Sequence, residues 1–326
     1  MDFQPTQEQR DLRTGVRGLL EGRYGREALR ASVDTGVCVD RGLWRELGGA
    51  GFFALRLPES EGGVGLGPAE AVLVFEEAGR ALVPGPLVAT HLAAGVVPGA
   101  ATGTAVVTAF DLGGDLVAHL GEADAVLGAA VLPEGVPVRS ADPLTPLYRV
   151  QRPGCAAAYA AQGALLTAAL QVGSALRTVE LAVRYAGERE QFGQPIGAFQ
   201  AVKHLCAGML VRAEVARTAV YAAAVTGGAG EVAAAKLLAD EAAVRNARDC
   251  LQVHGGMGFT WEADVHLHLK RAWVRAEQWR TAAEAEEVLA AELLDAAGWQ
   301  GATGGPGGAG RGTGGTTRDA CPITES

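Results

Sequence analysis

The segment RYAGEREQFGQPIGAFQAVKH, residues 184–204, carries a dense set of groups suited to an anion. Arg189 is a cation, Gln191, Gln194 and Gln200 are amide donors, Gly193 lets backbone approach a ligand, and Pro195 interrupts a helix. That inventory suits a diphosphate held at a helix-turn-helix corner. The plainer alternative pairs Arg189 with Glu188 or Glu190 and leaves the turn as only a turn. A second segment, QVHGGMGFTWE at residues 252–262, ends a helix in a glycine turn that can open backbone amides toward an anion. Taken alone, such a GGxG turn is more often a helix C-cap than a cofactor site.

Both segments must be positioned by helices. From residue 159 onward the apolar period is helical: Leu165, Ala169, Val172, Leu176, Val179, Val183 and Ala186 fall on one stripe. A second helix is expected from about Phe199, with Val202, Leu205, Met209, Ala213 and Ala216 inward. A third is expected over about 231–253, ending at Gly255, and a fourth over about 263–297, stopping at Gly298. Four long helices with small residues along their seams read as a four-helix bundle, a shape that often pairs with copies of itself. At the N-terminal end, Thr6 can cap a helix with Gln9 three residues on, followed by Leu12, Val16, Leu19 and Leu20. Further helices are expected over 41–48 and 68–82, separated by the glycine- and proline-rich loop LRLPESEGGVGLGP. The runs TAVVTAF, ADAVLGAAVL and LYRVQ predict a small β region. The fold class is mainly α with a small β middle domain. The expected domains are an N-terminal helical domain at 1–100, a shortened β middle domain at 101–153 and the bundle at 154–299. A Gly- and Thr-rich tail at 300–326 has little to bury and is expected to be disordered.

With 326 residues, 48% of them apolar, the chain is long enough to enclose a large core. No apolar run approaches the ~20 residues that cross a bilayer, and the first residues do not resemble a basic-then-apolar leader; a cytoplasmic protein is expected. Five scattered cysteines without a CxxC pair suggest neither a disulfide framework nor a zinc site. A net charge of -9 without a basic patch argues against nucleic acid.

Taken together and in this order, the two segments resemble the C-terminal signature of the acyl-CoA dehydrogenase family. LPESEGGVGLGPAEAVLVFEEAGRAL looks like its N-terminal helical domain. The resemblance covers residues 1 to about 95 and about 145 to 295. It implies an N-terminal helical domain, a shortened β-barrel and a C-terminal four-helix bundle, assembled as a dimer of dimers. It also implies an FAD reached by Arg189, Gln191, Phe192, Gln252 and Gly256 from a neighbouring subunit, with Phe199, Gln200 and Gly255 in the same corner. The implied chemistry is α,β-desaturation of an acyl-CoA thioester. A glutamate takes the α-proton, the β-hydrogen leaves as hydride to flavin N5, and an electron-acceptor flavoprotein reoxidises the cofactor.

The sequence departs from the family where the base should stand. Counting on from Gly258 places Trp279 at or near that position, and the family's alternative position, on the first bundle helix, falls on Gly163 beside Gln162. Neither is an acid. Glu277, two places from the first register and about 200° around a helix, is the nearest candidate base, with Glu284 farther on; a glutamate so placed is more often a solvated helix residue than a base. The middle region is about half the family's length and lacks its Thr-Glu-Pro stretch. Both departures suggest a half-site subunit, similar to the shorter chains of the heteromeric acyl-CoA dehydrogenases of actinobacterial sterol degradation. A self-sufficient homomeric dehydrogenase and a flavin-free helical partner subunit are the alternatives. His266 and His268, at i and i+2, point to different helix faces, so no metal site is expected. Trp261, Trp273 and Trp279 could line an acyl pocket or simply pack, and Ser174 has no His and Asp nearby in sequence to form a triad.

Overall fold

Thr6 opens the first helix as its sequence demands: its hydroxyl accepts from the Gln9 N–H, and the Gln9 side chain accepts from the Thr6 N–H. The computed structural model describes residues 5–151 and 154–296. The N-terminal helices are α1 (Gln7–Arg23), α2 (Arg26–Thr35), α3 (Arg41–Gly49), α4 (Pro68–Arg80) and the short, buried α5 (Leu87–Ala93). Helices α2 and α5 were not anticipated from the sequence, and the Gly/Pro-rich loop contains one 3-10 turn at Glu59–Glu61.

The middle region forms two small sheets. Strands β1 (Val107–Ala109) and β3 (Ala125–Leu127) pair in parallel, while β2 (Leu116–Ala118), β5 (Leu147–Val150) and β4 (Gly135–Val138) form an antiparallel sheet in that order. This is the small β region expected from the sequence; among the described residues its five strands are divided between two sheets and do not hydrogen-bond into one closed barrel. Phe110, Val117, Leu120, Val126 and Val150 give this region its own small core.

The C-terminal half contains α6 (Ala160–Glu188), a two-residue hairpin of β6 (Glu190–Gln191) and β7 (Gln194–Pro195), α7 (Gln200–Thr226), α8 (Ala229–His254), α9 (Val265–Glu277) and α10 (Ala282–Ala296). The stripe on α6 is buried at Leu165, Ala169, Val172, Val179 and Ala186, but Val183 is exposed. The fourth bundle helix, expected as one element over 263–297, is two. Its break at 278–281 puts Trp279 at φ 63°, outside any helix. Gly298 and the tail lie outside the described residues.

Helix α4 lies directly on α6. A Cβ at Gly173 would fall 1.8 Å from the Glu76 carbonyl oxygen, and one at Gly79 would fall 2.0 Å from that of Leu170, so the two backbones touch where only glycine fits. Glu77 of α4, buried, takes Arg17 of α1 in a bidentate pair at 2.7 and 2.8 Å. One continuous core runs through α1, α4, α5, β1 and the bundle. The antiparallel sheet is tied to it through Arg271 of α9. This buried guanidinium pairs with the buried Asp142 and donates to the Leu144 carbonyl at 3.1 Å and the Val83 carbonyl at 3.3 Å.

Candidate functional site

Helices α6 and α8 run parallel, because each is antiparallel to α7, and their C-terminal ends meet where Tyr185 stacks on His254 at 4.2 Å. This brings the two sequence motifs, residues 189–200 and 252–256, to the same end of the bundle. Arg189 caps α6 with an exposed side chain that forms no ion pair with Glu188 or Glu190, so the plainer pairing is not seen. Gln191 donates only to the Glu190 carbonyl, and Gln200 and Gln252 are exposed at the start of α7 and the end of α8. Gly255 and Gly193 take positive φ, and Gly256 opens the following turn in an exposed position.

Phe192 is held at φ 55° with its side chain 92% exposed, its ring edge-on to Phe199 at 6.0 Å. A bulky residue in the left-handed region costs of order 1–3 kcal/mol, and a bare phenyl ring in water adds no compensating burial. An exposed ring, a free guanidinium and free amides around a tight turn fit a dinucleotide laid over the bundle end.

The other end of α6 is different. A Cβ at Gly163 would fall 2.1 Å from the Trp279 ring, so the indole lies flat against that glycine. The two positions at which the sequence led us to look for a base therefore occupy one place, filled by a tryptophan only 8% exposed. The adjoining cavity, about 30 Å³ and lined by Asp111, Arg271, Arg275 and Gln278, has room for about one water. Glu277, the sequence-based candidate, is the last residue of α9 and is exposed.

Three interactions hold the break after α9. The buried Lys236 ammonium donates to the carbonyls of Arg275 and Ala276 at 3.1 and 3.3 Å, compensating the helix end. The Trp279 N–H donates to the Asp111 carbonyl at 2.5 Å. Thr281 and Glu284 then form a reciprocal cap on α10. That T-x-x-E spacing was the available sequence signal for the break.

Asp111 is the acid that sequence reasoning missed. It follows β1 in the region lacking the Thr-Glu-Pro stretch, accepts from Gln278 Nε2 at 2.8 Å on Oδ2, and leaves Oδ1 buried without a partner among the described residues. The residue keeps partial exposure, but its carboxyl group is enclosed. Burial outweighs the backbone and Gln278 hydrogen bonds and pushes its pKa up to about 7. Stability tied to the protonated carboxyl is full below the ordinary pKa of 3.8 and lost as pH rises through about 7. Asp111→Asn is therefore expected to melt higher than the parent at pH 8, by up to roughly 4 kcal/mol of stability, and to match it near pH 4. Paired melting curves at the two pH values check this.

His266 stacks on Trp261, while His268 is buried, its Nδ1 2.8 Å from Ser174 Oγ. Ser174 thus has a histidine neighbour that the sequence did not suggest. No carboxylate bonds that imidazole among the described residues, and the serine is itself buried in a helix interior, so no triad forms. Trp261 and Trp273 are substantially exposed. Among the described residues no group of three His, Cys, Asp or Glu could hold a metal, and no helix is long and apolar enough to cross a membrane.

Residues 6–108 match the model of the acyl-CoA dehydrogenase N-terminal domain, and residues 156–294 match that of the acyl-CoA dehydrogenase C-terminal domain. The chain belongs to the acyl-CoA dehydrogenase family, whose members are FAD-binding flavoproteins. It is 37% identical over 315 residues to acyl-CoA dehydrogenase IpdE2 of Mycobacterium tuberculosis, covering 89% of this chain and 99% of that protein. It is 34% identical over 361 residues to acyl-CoA dehydrogenase FadE34 of the same organism, covering 90% of this chain but 50% of FadE34. Among solved structures, a chain of the ChsE4-ChsE5 complex from Mycobacterium tuberculosis shares the fold with a TM-score of 0.79 at 24% identity, over 90% of this chain and 99% of that one.

Proposed function

We propose that this chain is the subunit without a base in a two-chain acyl-CoA dehydrogenase. It lends Arg189, Gln191, Phe192, Gln200, Gln252, Gly255 and Gly256 to an FAD whose acyl-CoA site, with its glutamate, lies in a partner chain. The observation that carries this reading is the indole of Trp279 packed on Gly163, which leaves neither base nor space for an acyl group.

Three further observations support it. Gly163 and Arg189 stand at opposite ends of α6, about 39 Å apart at 1.5 Å per residue, so one dinucleotide cannot serve both in the same chain. Helix α7 exposes Leu210, Val211, Val215 and Val225, an apolar surface suited to another subunit. The chain corresponds to half of FadE34, leaving a second half of similar length in that relative.

Within this assembly, Arg189 and the turn amides would hold the diphosphate, and Phe192 would cover the cofactor against water. The flavin, when bound, supplies the acceptor for the β-hydride, and a separate electron-acceptor flavoprotein takes the electrons on. A cytoplasmic setting suits the free thiols of Cys38, Cys155, Cys206 and Cys250.

One observation favours a self-sufficient enzyme: Asp111 is a carboxyl group of raised pKa beside Trp279, the kind of group that serves as a base. Visible spectra and FAD content of the chain purified alone, and co-expressed with an adjacently encoded dehydrogenase homologue, separate the readings. The proposal expects flavin and acyl-CoA oxidation only in the co-expressed complex. A yellow, active chain by itself sinks it and makes Asp111→Asn and Glu277→Gln the next variants. A colourless complex points instead to a flavin-free partner subunit.

A further inference from the structure

A half-open cavity of about 320 Å³ lies between α1, α2, α4, α6 and α9, within the size range of small-molecule sites and about ten times the volume beside Trp279. Its walls carry Arg17, Arg26, Arg80, Arg177 and Arg184 against only two acids, Glu21 and Asp264, in a chain whose net charge is -9. Most of these guanidinium groups are committed. Arg17 holds Glu77, Arg26 holds Asp264, and Arg80 and Arg177 share Glu180. Arg184 pairs with no acid among the described residues.

The floor is apolar, with Leu20 of α1 and Leu181 of α6, and is interrupted by one polar ring. His268, 3% exposed, spends Nδ1 on Ser174, and its Nε2 bonds to nothing among the described residues. Burial, and then the charges of Arg177, Arg275, Arg271 and Arg80, pull its pKa down to about 3, so the imidazole is neutral. The largest charge effects on it come from cations. With five guanidinium groups on the walls against two acids, the cavity favours an anion, and the leucines leave room for an apolar body behind the anionic head.

We propose that this cavity binds a small amphipathic carboxylate, its head met by Arg184 and its body seated on the leucines, with the His268 ring in the same wall. The assignment does not use the flavin reading: Arg184 opens the first bundle-end segment but is not among the residues assigned to the flavin, and the cavity shares no lining residue with the one beside Trp279.

Isothermal titration of hexanoate into the full chain, in whichever assembly it purifies, tests this, with hexanamide and inorganic phosphate titrated alongside. Hexanoate is expected to bind at least tenfold more tightly than hexanamide, and phosphate not measurably. Arg184→Gln should weaken hexanoate about tenfold, the loss of one charge-assisted contact. Leu181→Trp, which fills the floor, should abolish binding. Because Leu181→Trp can disturb folding, the unpaired Arg184 carries the decision, supported by the His268 side-chain nitrogen resonances, which should move with hexanoate. Absent hexanoate binding, equal affinity for acid and amide, phosphate binding as tightly as hexanoate, or an unchanged Arg184→Gln variant would each overturn the assignment.

Discussion

Asp142→Ala should be the most destabilising single substitution considered for this chain, costing about 3–5 kcal/mol in denaturant unfolding. Asp142 is completely buried and does three things at once: it pairs with Arg271, accepts from the Leu144 N–H at 3.0 Å, and accepts from the Thr145 hydroxyl at 2.6 Å. Removing it leaves a guanidinium enclosed without a counter-charge on the helix that leads to Trp279. Asp142→Leu combined with Arg271→Met should recover much of the loss, because the cost lies mainly in the stranded charge. If the single alanine variant unfolds within 1 kcal/mol of the parent, the sheet does not depend on this pair.

Arg189→Ala should do the opposite: leave stability nearly unchanged and remove the cofactor. The side chain is exposed and pairs with no carboxylate among the described residues, so folding loses little. If Arg189 meets a flavin diphosphate in the assembled complex, its loss should weaken flavin retention by roughly ten- to hundredfold, the factor that follows from a charge-assisted hydrogen bond of 1.5–3 kcal/mol. FAD per complex after gel filtration, read beside the melting temperature, checks both halves. A lowered melting temperature with full flavin content would mark Arg189 as structural.

Local rules explain which parts of this architecture could be read in advance. The Thr6 cap, the seams of α6 and α7 and the glycine ending α8 are written in neighbouring residues, and the structure follows them. Once α6, α7 and α8 alternate in direction, the meeting of the two motifs at one end follows as well. What stayed hidden depends on contacts between distant residues. Trp279 leaves the helix with no glycine or proline to announce it, because its indole finds Gly163 and its N–H finds Asp111. Asp111 looks like an ordinary loop acid until the α9–α10 turn closes over it. Ser174 and His268 are 94 positions apart, and no periodicity on either helix predicts that they meet. The alternating apolar runs of the middle region predicted strands without saying how those strands would pair, and they divide between two sheets.

The fit between Trp279 and Gly163 also bears on how this chain could change. Each residue occupies the volume the other would need, so a glutamate placed at 163 collides with the indole, while a glutamate at 279 vacates the space the indole fills and leaves a gap against glycine. Neither single replacement yields a well-packed fold bearing a carboxylate at that spot. Placing an acid there by single replacements passes through a destabilised intermediate, so the two positions can exchange their roles only together.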